Sequence, residues 1–494
     1  MAAIPAGIAI KPLDMIRIFS FGAAWVLSAW VCLPAFSQED TASRKTYTLE
    51  QCVDLALSRN PDVTAARFSM ETGKVSRDQA KAALLPSLSG NVSRALYNGK
   101  SINPYTNEYV NQQYTADNYG LNASVVLWHG SSIMNYLKQS NLDYEASRMG
   151  YQQAKDEVTI QVILSYLAVL NQAEQLRMAR GQTEVTRQQV ARLEVLNQSG
   201  AIAPSDLYDM RGQLSANELT VLATRNALES ARLDLIQLMN IPYTDDIALV
   251  PVQTAILSPY QGSVDSIYQY TLGHLAQVKA AELHDQSAQK AVKAARGSLL
   301  PTLYLSGGLY TNYSSAASTE QLVGSSDEKT DHYVEINQEK LPVYAPTSSY
   351  HEIKVPYRDQ WKNNFNSGVS LNLSVPILNG LAARTRLRAA RIAESRTAFE
   401  TRTVKTKLRQ AIEREYLQMR MAYATYTQLV GQVADYEESF REAQVKFEAG
   451  VLNAVEFVLV QNNLDQAKLN LIAAKYHYIL ETEILDYYQG RLSW

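Results

Sequence analysis

Apolar and polar residues alternate with period two in four stretches of this chain, and apolar residues recur at three-to-four spacing through most of the rest. Val369, Leu371, Leu373 and Val375 alternate with Ser370, Asn372 and Ser374. Leu121, Ala123, Val125 and Leu127 alternate with Asn122 and Ser124, with Val126 interrupting the polar side. Period two puts successive side chains on opposite faces, so these stretches read as strands with one apolar and one polar face. The predicted strands span about 87–97, 119–128, 302–313 and 367–376. In a soluble sandwich the apolar face is core; in a membrane barrel it faces lipid and the polar face lines a lumen. Four strands cannot close a barrel, which needs about eight. Either they pack on helices, or several chains share one barrel.

The helical pattern begins with Thr48 to Asn60, where Leu49, Cys52, Val53, Ala56 and Leu57 share a face, Thr48 is the expected N-cap and Asn60-Pro61 the stop. A second helix is expected from Asp62 to Leu85, ending at Pro86. Ser131 to Asn197 contains no proline and would be about 100 Å long at about 1.5 Å per residue. Leu137, Tyr144, Tyr151 and Val158 recur every seven residues, and Ile160, Ile163, Leu167 and Leu170 continue the seam. Frequent alanines (Ala146, Ala154, Ala168, Ala173) suit a helix with neighbours on two sides. Return helices are expected over Ser205 to Met239 and Ala454 to Tyr488, and a further one over Leu275 to Leu300.

The chain repeats itself. Leu49, Leu57, Val63 and Pro86 correspond to Val264, Leu272, Val278 and Pro301 at an offset of 215, and Ser199-Gly200 to Ala449-Gly450 at an offset of 250. Internal periodicity of this kind decides fold class. Repeat one covers 48–245 and repeat two 263–490. The strands are joined by segments of unequal length, Gly99 to Asn118 and Ser314 to Asn366, both read as loops; a connection as long as the second is functional or without fixed structure.

Composition changes the picture in three places. Arg17 precedes an apolar run from Ile18 to Leu33, and Pro34-Ala35-Phe36-Ser37 carries small residues at a cleavage-like site, so 1–37 reads as an export signal. Cys32 is poorly placed for lipidation, and beyond residue 37 only Cys52 remains, which excludes an intrachain disulfide. A formal charge of −3 argues against a nucleic-acid binder. The 30 Tyr against 9 Phe suit half-wet surfaces, membrane interfaces among them. No segment after the signal approaches 18 consecutive apolar residues, which leaves barrel strands as the only way this chain could enter a membrane.

Thr48-Leu49-Glu50-Gln51 with Asn60-Pro61, the helix ends Ala82-Ala83-Leu84-Leu85-Pro86 and Gly297-Ser298-Leu299-Leu300-Pro301, Val375-Pro376-Ile377-Leu378-Asn379-Gly380 and Phe447-Glu448-Ala449-Gly450 occur in an order, and with a duplication, that resembles the TolC-like outer-membrane efflux proteins. Leu381 departs from the family's second glycine, and the segment 314–366 is long for it. The resemblance implies a mainly α fold with a membrane β-barrel. A long antiparallel coiled-coil tunnel and four barrel strands per chain would close as a homotrimer with a 12-strand barrel in the outer membrane of a Gram-negative-type cell. It implies no cofactor and no enzyme activity. The implied partners are further copies of the chain, a periplasmic adaptor, an inner-membrane transporter and outer-membrane lipid. The function implied is the exit duct of a tripartite efflux pump, or of a type I protein secretion system; from the residues alone, a periplasmic coiled-coil structural protein with a small β-sandwich is the reading of another class.

Three groups of site residues follow. Gly200, Ala201, Ile202 and Gly450, Val451, Leu452 interrupt two long helices; glycine there caps a helix, and the resemblance places adaptor contact on these tips. Asp206, Asp209 and Glu456 open the return helices, where acids favour the helix dipole by about 0.3–1 kcal/mol. Threefold symmetry would make them a ring at the tunnel's aperture, although Leu459 supplies no charge where the family often has one. Val369, Leu371, Leu373 and Val375 are the lipid-facing set. Arg384, Arg388 and Arg391 read as a solvated or tunnel-lining face, and the six histidines have no metal-type spacing.

Overall fold

The structure, a computed structural model, describes residues 45–102, 107, 109–111, 113–243, 247–251 and 257–491. The export-type segment 1–37, with Arg17 and Cys32, lies outside the described residues. The chain order is β1 (Lys45–Tyr47), α1 (Leu49–Arg59), α2 (Pro61–Ala82), β2 (Ser87–Tyr97), β3 (Lys100–Ile102), β4 (Tyr109–Asn111), β5 (Tyr114–His129), α3 (Ser132–Gln198) and α4 (Pro204–Met239). It continues with β6 (Ile247–Leu249), α5 (Val264–His274), α6 (Ala276–Gly297), β7 (Thr302–Ser314), β8 (Ser318–Ile336), β9 (Glu339–Lys354), α7 (Tyr357–Asn363), β10 (Asn366–Ser374), α8 (Ala382–Glu448) and α9 (Ala454–Tyr488).

Local chemistry sets the boundaries. Thr48 closes a capping box on α1: its hydroxyl accepts from Gln51 N at 3.2 Å, and Gln51 Oε1 accepts from Thr48 N at 3.0 Å. Asn60 then caps α2, whose first residue is Pro61, a position where a missing N–H costs nothing. The turns into α3 and α8 each use two left-handed residues, Gly130-Ser131 and Gly380-Leu381. Leu381 holds φ +63° without glycine's freedom, a strain of about 1–2 kcal/mol.

The helices pack as coiled-coil pairs, α3 on α4 and α8 on α9, with α2 and α6 beside α3 and α6 also beside α8. One core joins Cys52, Val53 and Ala56 of α1 to Val162, Tyr166 and Val169 of α3 and to Leu235, Ile236 and Met239 of α4. A second joins Ile267 of α5 and Val278 of α6 to Leu408 and Ile412 of α8 and to Tyr478 and Leu485 of α9. In the seam of α3, Val158, Ile163, Leu167 and Leu170 are buried, whereas Leu137, Tyr144, Tyr151 and Ile160 are only half-buried and Ala168 is exposed. Tyrosine does more than cover wet surfaces here. Tyr166 is buried in the first core and donates to Val250 O at 2.6 Å, tying down the connection between the two helix pairs.

The sheet has the order β10-β7-β5-β2, antiparallel throughout. Leu373 lies opposite Leu303, Leu371 opposite Leu305, Leu121 opposite Leu309 and Leu88 opposite Ala123, so the apolar positions of all four strands share one face. A bulge between Val126 and Trp128 returns Trp128 to that face opposite Leu303.

Several expectations are corrected. The last strand ends at Ser374 rather than 376, because Pro376 has no N–H to offer a ladder, and Val375 therefore lies outside the sheet. The segment 314–366 is not a loop: β8 and β9 form a long hairpin turned by Asn337 and Gln338, both at positive φ, and α7 follows. Gly99 to Asn118 contains the short β3–β4 pair, and β5 already begins at Tyr114. A parallel pair of β1 with β6 joins residues some 200 positions apart.

Candidate functional site

Three regions carry the chemistry: the sheet faces, the helical tips and one carboxylate pair. On the polar side of the sheet, Ser87 and Ser124 hydroxyls lie 2.9 Å apart, Ser306 and Ser370 2.8 Å apart, and Asn372 Nδ2 donates to both Ser306 and Ser370. Asn122 donates to Asn91 Oδ1 at 3.1 Å and accepts from Tyr310. These rungs line an open hollow of about 360 Å³ bounded by Ser87, Ser89, Asn122, Ser124, Ser306 and Ser370. They are uncharged and can satisfy water or a passing polar solute equally. The other side is bare hydrocarbon. Val369 is 81% exposed, Leu371 63% and Leu373 64%, and Leu88 and Val92 are exposed beside them. Val375, beyond the strand, is exposed as well. Among the described residues neither a helix nor a second sheet covers these five strand positions.

At the tips, α3 and α8 end in the same way. Gly200 (φ +72°) and Gly450 (φ +70°) take the left-handed position, and Ala201 N and Val451 N reach back to Leu196 O and Lys446 O, each at 2.9 Å. The two tips share a core: Leu193, Leu207 and Met210 pack with Ala454 and with Phe457, whose ring lies 4.5 Å from that of Phe447. Ile202 and Leu452 belong to that core and are half-buried. The freely presented apolar residues are therefore Ala201 and Val451, not the whole of each triplet.

Leu207 and Met210 point into the tip core, and Asp206 and Asp209, one position before each, share the adjoining face of α4. Asp206 is half-buried and Asp209 exposed. On α9, Asn453 caps the helix by accepting from Glu456 N at 2.8 Å, which leaves the exposed Glu456 carboxylate free of capping duty. Leu459, one turn further on, is 61% exposed. Arg384, Arg388 and Arg391 are exposed along the start of α8. Among the described residues, no three His, Cys, Asp or Glu side chains lie together as a metal site.

The Outer membrane efflux protein family profile matches residues 52–240 and 267–490. The chain belongs to the outer membrane efflux protein family. Its fold is that of solved outer-membrane channels. The CmeC channel of Campylobacter jejuni superposes with a TM-score of 0.71 at 16% identity, over 90% of this chain and 86% of that one. VceC of Vibrio cholerae gives 0.71 at 12% identity over 90% and 97%. The open-state MtrE channel of Neisseria gonorrhoeae gives 0.69 at 15% identity over 90% and 88%. No curated protein sequence matches the chain.

This efflux-family chain also holds a carboxylate pair that its sequence did not announce, Glu481 buried and Glu415 half-buried. Glu481 of α9 is 3% exposed, and Gln418 of α8, with its amide nitrogen toward the two carboxylates, lies 3.2 Å from both Glu481 and Glu415. His477 Nε2 stands 3.7 Å from Glu481. Burial, then the hydrogen bond and charge of Glu415, push the Glu481 carboxyl up to about 8, so Glu481 holds its proton near neutrality. Cys52 is inert by the same effect: burial pushes its thiol up to about 12. Tyr476 to Leu485 carries two acids, Glu481 and Glu483, and the packing of α9 against α8 is what sets Glu481 apart.

Proposed function

We propose that this protein is the outer-membrane exit duct of a tripartite efflux pump, a passive conduit that works as a homotrimer with a periplasmic adaptor and an inner-membrane transporter. The observation that carries the reading is the sheet: apolar and uncovered on one side, Ser- and Asn-lined on the other, with free edges at β10 and β2. Water would not leave such a face bare, whereas lipid would. In a sandwich, the competing architecture, a second layer would cover it. Pairing β2 of one copy with β10 of the next would satisfy both edges, and three copies give twelve strands.

The helices support the same symmetry. Beyond its coiled-coil partner, helix α3 packs against both α2 and α6, whereas among the described residues α8 packs closely against α6 and not against α2. Exposed Phe68 and Val75 of α2, and exposed Ile392 and Phe399 of α8, are the faces left over, and α2 of a neighbouring copy on α8 would cover both. Gly200, Ala201, Gly450 and Val451 are the parts of the tips presented for an adaptor, and Asp206, Asp209 and Glu456 the acids of the aperture. The deciding experiment is the assembly of the purified protein in detergent: a trimer with one conducting pore is expected, and a monodisperse monomer with full β content would sink the reading.

A further inference from the structure

Helix α7 sits where no sequence rule placed a helix, and its position is informative. Tyr357, Gln360 and Trp361 form its inner stripe. Gln360 is buried and holds Ser314 through both backbone groups, accepting from its N at 2.8 Å and donating to its O at 2.9 Å. Trp361 lies 4.6 Å from the ring of Tyr119, and Tyr357 4.8 Å from that of Tyr313. By the pairing register Tyr119 and Tyr313 share a face with Leu121, Leu309 and Leu371. The helix therefore lies on the apolar side of the sheet, outside any lumen, at the end remote from α2, α3, α6 and α8.

Its height fits a boundary. Along β5 the apolar face carries Trp128 at the end near the helices and Tyr119 at the end near α7. Allowing for the bulge, these are about 27 Å apart along the strand, and about 21 Å in height at a tilt of about 40°. That is close to the apolar band of about 25 Å between the aromatic girdles of a membrane barrel. Charge begins where the band ends. Arg94, on the same face, donates from Nε and Nη2 to buried Asp117 at 2.7 and 2.8 Å, which uses two of its five N–H groups and leaves the guanidinium largely exposed. Arg358 and Lys362, four apart on α7, are exposed and form no ion pair among the described residues.

We propose that α7 is a membrane-interface anchor: it rests at the headgroup level on the lipid side of the sheet, where Tyr357 and Trp361 enter the apolar boundary and Arg94, Arg358 and Lys362 take lipid phosphate. This rests on the membrane-duct reading. An anionic, phosphate-bearing lipid is the occupant because the patch combines amphipathic rings with cations at the edge of a hydrocarbon band, and such cations are drawn to an anionic lipid surface.

The test reads tryptophan emission of the full chain in phosphatidylcholine vesicles carrying bromine at shallow or deep acyl positions. The contributions of Trp361 and Trp128 are taken as differences from Trp361→Phe and Trp128→Phe. Expected is stronger quenching of Trp361 by shallow than by deep bromine. Brominated phosphatidylglycerol should quench it at several-fold lower mole fraction than brominated phosphatidylcholine, a preference lost in Arg358→Gln/Lys362→Gln. Both substitutions are at exposed, unpaired positions, so folding is not at risk. Quenching of Trp128 without quenching of Trp361 overturns the anchor and leaves the duct standing. Absence of quenching at both overturns the duct reading and the anchor with it. Quenching of Trp361 with no phosphatidylglycerol preference, or with one that survives the double substitution, overturns the phosphate contact.

Discussion

Helices α3 and α8 are each 67 residues long, each follows two left-handed residues and each ends on a left-handed glycine. Their packing differs. Fifteen residues of α3 are buried against seven of α8, and α8 leaves Ile392, Phe399, Leu417 and Met421 exposed. The entry turns differ in the same sense. A Cβ on Gly130 would come within 2.5 Å of Gly297 O, so the first turn is wedged against α6, whereas Gly380 has open space around it. Two helices of one design thus differ in cover: more of α3 than of α8 is buried within its own chain. In the proposed assembly, the unfilled contacts of α8 meet α2 of a further copy.

The sharpest way to break this comparison is a matched pair of substitutions. Tyr166→Ala, in the core of α3, should destabilise the chain itself by about 3–5 kcal/mol. Phe399→Asp on α8 should leave the monomer's helicity unchanged and lower trimer yield. Circular dichroism with native-state sizing separates the two, and a Phe399→Asp protein that assembles normally would mean that α8 faces water.

The sheet sharpens it next. Leu373→Arg places a charge on the uncovered apolar face at a cost of about 2–4 kcal/mol at mid-membrane, whereas Asn372→Arg projects among the Ser and Asn rungs and should be tolerated. Equal or reversed yields of folded trimer in outer-membrane fractions would refute the register read here.

The carboxylate pair comes third. The Glu481 carboxyl titrates near 8 when folded and near 4.5 when unfolded, so between those values the native state binds the extra proton. Stability should therefore be intact in acid, fall as pH rises from about 5 to 8 and level off above, with a deficit of the order of 1–3 kcal/mol at pH 7. Glu481→Gln keeps the shape and removes this titration, so its urea midpoint should fall less than the wild type's over that window, the remainder belonging to groups such as Asp465, whose carboxyl burial pushes up to about 6. A wild-type midpoint that falls no more than the variant's would show that Glu481 does not hold its proton in the folded chain. The position faces Glu415 and Gln418 of α8 and His477 of its own helix, so the profile reports on the α8–α9 contact.

The smallest effect is expected at the tips. Asp206→Asn with Glu456→Gln should weaken cation preference and divalent block in planar-bilayer recordings, because like charges around a narrow opening concentrate cations. Stability should change by no more than about 1 kcal/mol. Unchanged selectivity and block would leave these acids as helix-start residues alone.

The sequence by itself determined the elements whose cause is local. Period-two alternation placed β2 with both its ends, the proline-free runs and the capping residues Thr48 and Asn60 bounded the helices, and Gly200 and Gly450 marked the tips. Each of these follows from neighbours within a turn or a pleat. Only the tertiary structure decided what depends on distant partners. The hairpin β8–β9 and helix α7 occupy a segment whose prolines and serines read as loop; Asn337 at the turn was the one legible hint, and strand length came from pairing rather than propensity. The β1–β6 ladder joins residues too far apart for any pattern to connect. Ile202 and Leu452 look as free as Ala201 and Val451 in sequence, and packing between the two tips separates them. Glu481 is an ordinary helix acid until α8 brings Glu415 against it, because desolvation and like-charge proximity belong to the assembled space and to no single stretch of chain.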